Sequence, residues 1–179
     1  MGMQREVSRR KFMLFTGTLG GGMAIGFLPS YSAQAAGTTT TISTTGTTTY
    51  AIRGKYYSKA ALSNAATPTT DAITGSAFNG VVANKGSVFV VGYNAAGSVL
   101  AAQGSITDLD TSGNFKQAPQ LPSGLPLDFC PIGYLVIKAG STANATTGWI
   151  FGTSNMSSVT GITYTFGDLA TLTDRPLIS

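Results

Sequence analysis

From residue 50 onward, the chain is built of short apolar runs separated by glycine, asparagine and proline, and this spacing limits the folds it can adopt. No amphipathic helix of ordinary length fits this part of the chain, whereas short runs bounded by turn residues are typical of strands. We therefore predict an all-β fold, a single antiparallel β-sandwich or barrel-like domain over residues 50–179. The expected strands lie at residues 50–52, 56–57, 87–91, 99–103, 132–138, 149–152 and 162–166.

Two turns and one long connection separate these strands. Arg53-Gly54-Lys55 is predicted to form a tight turn, and residues 93–98 are predicted to join the strands of a hairpin. The segment 117–131 contains four prolines, which lack the N–H group that a sheet ladder requires. This segment is expected to be an extended connection within the domain.

Residues 1–35 have the three parts of an export leader, and a signal helix is expected there. Ser8, Arg9, Arg10 and Phe12 resemble the twin-arginine signal, although Met13 and Leu14 replace the usual Leu and Lys. The resemblance implies transport by the twin-arginine translocase to the periplasm or the exterior. An ordinary secretion signal and a retained membrane anchor are the alternatives, but the glycines of the apolar run 14–28 disfavour an anchor.

A small-x-small cleavage site is formed by Ala33 and Ala35, so the mature chain is expected to start at Ala36. The leader holds four of the chain's 11 Lys and Arg residues and one of its 7 acids, so the mature protein is close to neutral. Net charge therefore gives no support for nucleic-acid binding or for membrane attachment after cleavage.

Cysteine and histidine usage excludes several chemistries. Cys130 is the single cysteine, so no disulfide can form within the chain, and there is no histidine. Catalytic triads that need histidine, and metal sites with histidine ligands, are therefore excluded. We expect no cofactor and no enzymatic activity.

Residues 36–49 are rich in threonine and contain little apolar surface. Such a segment is predicted to be a flexible linker, or an extended arm that pairs with the sheet edge of a neighbouring subunit. A glycosylated stalk is a third interpretation.

Two sets of residues could form binding sites. Asp108, Asp110 and Ser112 match the first half of an acidic calcium loop, but Pro119 stands where that loop needs a bidentate Glu, so a polar turn is the favoured interpretation. The many aromatic residues could form a ligand platform, but in a β domain such residues mostly build the core and cross-strand pairs.

Four segments occur in an order that resembles small phage and prophage structural proteins: YAIRGKYYSKAA, VFVVGYNAAGSVLAAQGS, LPSGLPLDFCPIGYLVIKAG and WIFGTSNMSS. The resemblance covers most of residues 50–172 and implies a β-structured virion surface or fibre component without known catalysis. A host-encoded, exported relative would suit both the leader and the domain.

The sequence thus predicts an exported, non-catalytic structural or binding protein that forms homo-oligomers or binds a surface partner. The alternative is a cofactor-free accessory subunit that is exported together with a periplasmic redox enzyme.

Overall fold

The structure, a computed structural model, describes residues 29–33, 40–44, 46–155 and 159–168. The described residues contain β1 (Pro29–Ala33), β2 (Thr40–Thr44), β3 (Thr48–Ile52), β4 (Lys55–Lys59), β5 (Ala65–Ala66), β6 (Lys85–Tyr93), β7 (Val99–Gln103), β8 (Thr107–Asp108), β9 (Cys130–Ala139) and β10 (Ile162–Asp168). Every pairing between these strands is antiparallel, and no helix occurs among the described residues. The prediction of an all-β fold is confirmed.

The main sheet has the strand order β10-β9-β6-β7, and β8 pairs with the start of β6. The strand order is linear, so this part of the structure does not close into a barrel. Strand β6 is central and is buried on both faces after Lys85. Its ladder with β9 shifts register between Val91 and Gly92. A side chain at Gly92 would place Cβ 2.1 Å from the carbonyl oxygen of Cys130, so only glycine permits this close pairing.

One face of the main sheet carries an aromatic core. Phe89 of β6 stacks on Phe151 with ring centroids 5.0 Å apart, and Trp149 and Phe78 meet these rings edge to face. Trp149 is buried, and its indole N–H donates to the carbonyl oxygen of Asn155 (2.9 Å). These rings therefore contain a single hydrogen-bond donor, the indole N–H of Trp149, and that donor is satisfied.

The prediction of a strand over residues 149–152 is wrong. Trp149 makes only an isolated bridge with Val81, and the chain then turns. Gly148 precedes this segment and Gly152 ends it, with φ values of 66° and 74°, in the left-handed region that glycine adopts readily. The apolar residues there fill the core from a turn, and a turn needs no strand periodicity.

The described part of residues 36–49, which is residues 40–44 and 46–49, also differs from the prediction. Strand β2 pairs with β1 on one side and with β5 on the other, and residues 48–49 begin β3. Ile42 is fully buried in the same core as Phe89 and Leu135, so the small sheet packs on the main sheet. The linker interpretation is therefore wrong for Thr40–Thr44, because the one large apolar residue of the segment faces the core.

The outer edge of β7 is closed by the segment that follows β5. Ala72 N–H donates to the carbonyl oxygen of Ala101 (2.8 Å), and Gln103 N–H donates to Oδ2 of Asp71 (2.9 Å). Oδ1 of the same carboxylate accepts from the N–H groups of Ile73 (2.7 Å) and Thr74 (3.3 Å). Asp71 is buried, so one carboxylate satisfies three backbone donors that water would otherwise have to reach.

We expect Asp71→Asn to lower the free energy of unfolding by about 2 kcal/mol, because an amide cannot accept all three bonds and loses the charge that strengthens them. Urea denaturation would measure the change. Asp128→Asn is the matched control, since this substitution removes the same charge from an exposed side chain. Equal losses in the two variants would show that the carboxylate does not hold this edge.

Candidate functional site

The predicted export residues Ser8, Arg9, Arg10 and Phe12, together with Ala35, lie outside the described residues. Ala33 is the last residue of β1, where it pairs with Thr40. The structure thus places one of the two small residues of the predicted cleavage site in a strand of the fold.

The acidic turn that contains Asp108, Asp110 and Ser112 is held by its own hydrogen bonds. Oδ1 of Asp110 accepts from the N–H groups of Ser112 and Asn114, each at 2.8 Å, and Asp110 N–H donates to the carbonyl oxygen of Asn114 (2.7 Å). Gly113 completes the turn with a φ of 77°. These bonds, first of all the one from Asn114 N–H, hold the pKa of Asp110 below its usual value.

Asp108 is occupied differently. Its Oδ1 lies 2.6 Å from Nζ of Lys85, and this hydrogen-bonded cation holds the pKa of Asp108 below its usual value. Both partners are well exposed, so the pair contributes little to stability. No group of three or more His, Cys, Asp or Glu side chains that could hold a metal ion is found among the described residues. Each carboxylate thus has a partner within the protein.

We expect millimolar calcium to leave the thermal midpoint of the protein nearly unchanged, because binding would have to displace hydrogen bonds that Asp110 already accepts. Asp110→Ala should lower the midpoint equally with and without calcium, since it removes the turn bonds. Differential scanning calorimetry would measure both. A rise of several degrees with calcium that Asp110→Ala abolishes would establish the site.

The hairpin of β3 and β4 is the second candidate site. Arg53 and Gly54 join its strands with φ values of 50° and 76°, the positive pair that a two-residue type I′ turn requires. Tyr50 of β3 stacks on Tyr57 of β4 (5.5 Å between ring centroids) and lies against Tyr93 of β6 (5.3 Å). The Tyr50 hydroxyl also donates to the carbonyl oxygen of Asn94 (2.9 Å). The hairpin is therefore anchored to the main sheet through its inner face.

The outer part of this hairpin is basic and aromatic. Tyr56 is 79% exposed, and Arg53, Lys55 and Lys59 lie within three residues of it. Lys85–Asp108 is the one salt bridge among the described residues, so these three cations have no acidic partner there. Nζ of Lys55 lies 5.4 Å from the centroid of the Tyr57 ring, on the opposite face of β4 from Tyr56. Such charges on an edge strand prevent unwanted pairing.

Burial raises the pKa of two tyrosines at the contact between the hairpin and the main sheet, Tyr50 and Tyr93. Tyr93 is fully buried, and its pKa is raised by desolvation, although the hydroxyls of Thr48 and Thr44 oppose the shift. No hydrogen bond of good geometry satisfies its hydroxyl within the described residues. Desolvation likewise raises the pKa of Tyr50.

Because the folded pKa of Tyr93 lies above the unfolded value of about 10, its neutral phenol contributes stability below that pH. This contribution is lost as the pH rises above about 10 toward the folded pKa. We expect Tyr93→Phe to reduce the fall of the urea midpoint between about pH 9 and pH 11. Tyr56→Phe, which changes an exposed ring, should leave the fall unchanged. An identical alkaline loss in both variants would contradict the assignment.

The strand edges of the domain are treated unequally. The outer edge of β7 is closed by Asp71, and β4 (Lys55–Lys59) begins and ends with lysine. Strand β2 (Thr40–Thr44) has no charged residue, and its outer side is paired with β1. Uncharged edges are the ones that pair readily with another strand. The small sheet β1-β2-β5, in which no strand has a charged residue, is therefore a candidate surface for assembly.

Comparisons with known protein families, with curated proteins and with solved structures found no match to this chain. Within the described ranges, no helix is both long and apolar enough to cross a membrane.

Proposed function

We propose that this chain is an exported, non-catalytic structural or binding protein that assembles with copies of itself or attaches to a surface partner. The proposed route is the twin-arginine translocase, and the proposed destination is the periplasm or the exterior. The observation that carries the proposal is the small sheet β1-β2-β5, whose three strands have no charged residue, whereas β7 is closed by Asp71 and β4 has a lysine at each end. The resemblance to phage and prophage structural proteins agrees with such a role.

Surface attachment is supported by a separate feature. Tyr56 is exposed on the outer face of a hairpin whose inner face is anchored by Tyr50, and Arg53 is exposed in the turn that joins the two strands. An aromatic ring provides contact area at little cost in conformational entropy, and adjacent cations attract an anionic partner. The hairpin consists of β3 and β4, which belong to a different sheet from β2, so attachment through the hairpin does not require β2.

Export is tested by replacing both Arg9 and Arg10 with lysine. The charge is kept, but recognition of the arginine pair is lost, so we expect the uncleaved precursor to accumulate in the cytoplasm. Cell fractionation and N-terminal sequencing would measure this, and the exported wild-type protein should begin at Ala36. Normal export of the double variant through the general secretion route would refute the twin-arginine assignment.

Self-assembly is tested on the exported protein by light scattering over a range of concentrations. A mass above that of one chain supports assembly. If the protein stays monomeric at high concentration, assembly is refuted and attachment through the hairpin becomes the proposed role.

A further inference from the structure

Strand β1 (Pro29–Ala33) lies entirely within the predicted leader. Its five residues pair in register with the five residues of β2, from Pro29 opposite Thr44 to Ala33 opposite Thr40. Cleavage after Ala35 would remove all of β1 and leave all of β2. Processing therefore changes the number of strands in this small sheet.

The backbone shows which groups of β2 would lose their partners. In an antiparallel ladder, successive residues bond alternately to the two neighbouring strands. Thr44 N–H donates to the carbonyl oxygen of Leu62 (2.9 Å), on the β5 side, so Thr41 and Ser43 bond toward β1. Pro29 agrees with this alternation, since it has no N–H and stands opposite Thr44.

Strand β2 does not depend on β1 for its place in the fold. Ile42 is fully buried in the main core, and Thr44 is fixed by two bonds to Leu62, one through its backbone and one in which Oγ1 accepts the Leu62 N–H (2.8 Å). Strand β5 also pairs with Thr41 and Ile42 from the other side. After cleavage, β2 would stay in place and present an open edge.

We propose that removal of β1 converts the outer edge of β2 into the docking site for β2 of a second copy. The two strands pair antiparallel about a two-fold axis at Ile42, so that Thr41 of each copy lies opposite Ser43 of the other. This inference rests on the proposed function, since it specifies which edge mediates self-assembly and when that edge becomes available.

A second copy suits this edge for two reasons. An antiparallel pair of identical strands is self-complementary, and with the axis at Ile42 the small polar residues Thr41 and Ser43 of the two strands meet each other. The strand also has no charge that would repel its own copy.

In the precursor, β1 precedes β2 by only six residues, residues 34–39. A strand tethered so closely acts at an effective concentration on the order of millimolar, which exceeds that of a second copy at ordinary protein levels. The leader strand therefore prevents assembly until export and cleavage remove it.

The experiment compares five proteins by sedimentation velocity: the exported wild type, the cytoplasmic precursor with both Arg9 and Arg10 changed to lysine, and exported Ser43→Lys, Ser43→Ala and Ser58→Lys. Ser43→Lys puts a charge on the proposed edge, and Ser43→Ala removes the same hydroxyl, which accepts the Asn64 N–H, without adding charge. Ser58→Lys adds the same charge on β4, where Ser58 is exposed.

We expect dimers for the exported wild type, Ser43→Ala and Ser58→Lys, and a monomer for the precursor. Ser43→Lys should raise the dissociation constant at least about tenfold, because two lysines then face the partner strand. Thermal denaturation of the two Ser43 variants separates a loss of pairing from a loss of folding.

Each of the other possible results refutes a specific part of the proposal. If exported Ser43→Lys still assembles like the wild type, the β2 edge is wrong but the proposed self-assembly stands. If the precursor assembles equally well, or the exported protein begins before Pro29, then β1 does not control the edge. If the exported wild type is monomeric, both this inference and self-assembly fail.

Discussion

The pairing of β6 with β9 is the interaction on which the rest of the structure depends. These two strands form the longest ladder of the described residues, from Lys85 opposite Ala139 to Tyr93 opposite Cys130. Phe89 and Leu135 lie directly opposite each other and are fully buried, and the aromatic core and Ile42 pack on the same face. Every further layer therefore uses the surface that this ladder creates. The close approach at Gly92 lets the ladder continue to Tyr93, on which the basic hairpin rests.

Because the sheets are open, the fold has to deal with its edges, and it does so by different physical means. The buried carboxylate of Asp71 accepts the N–H of Gln103 at the edge of β7, and the lysines of β4 keep a charged edge in water. Strand β2 has neither a carboxylate nor a charge and is covered by a strand instead. A covering strand can be removed without disturbing the residues that hold β2 in the core, whereas loss of Asp71 would leave buried donors unsatisfied.

Much of the fold could be predicted from the sequence because β6, β7, β9, β10 and the Arg53-Gly54 turn carry strong local patterns. Strand β2 was missed because its threonines have little apolar surface alone, and only the tertiary position of Ile42 shows that the segment belongs to the core. Residues 149–152 resemble a strand in sequence because they are mostly apolar, but Gly148 and Gly152 impose a turn on them. The only sequence signal of Asp71 is a lone acid four residues before Gly75, and its role in closing the edge depends on a contact with Gln103, 32 residues away.

The region before β2 shows why one sequence can satisfy two requirements. A leader needs a break after its apolar run and small residues before the cleavage site, and Pro29, Ala33 and Ala35 meet that need. A covering strand needs extended backbone, and it needs no N–H donor at positions that do not bond to the strand it covers. Pro29, which lacks an N–H and stands opposite Thr44, occupies such a position. The two requirements do not conflict, because the leader pattern depends on the residue types at Pro29, Ala33 and Ala35, whereas the covering strand depends on backbone pairing with β2. Under the proposed function, a chain that meets both would fold with the outer side of β2 covered and would uncover it in the step that removes the leader.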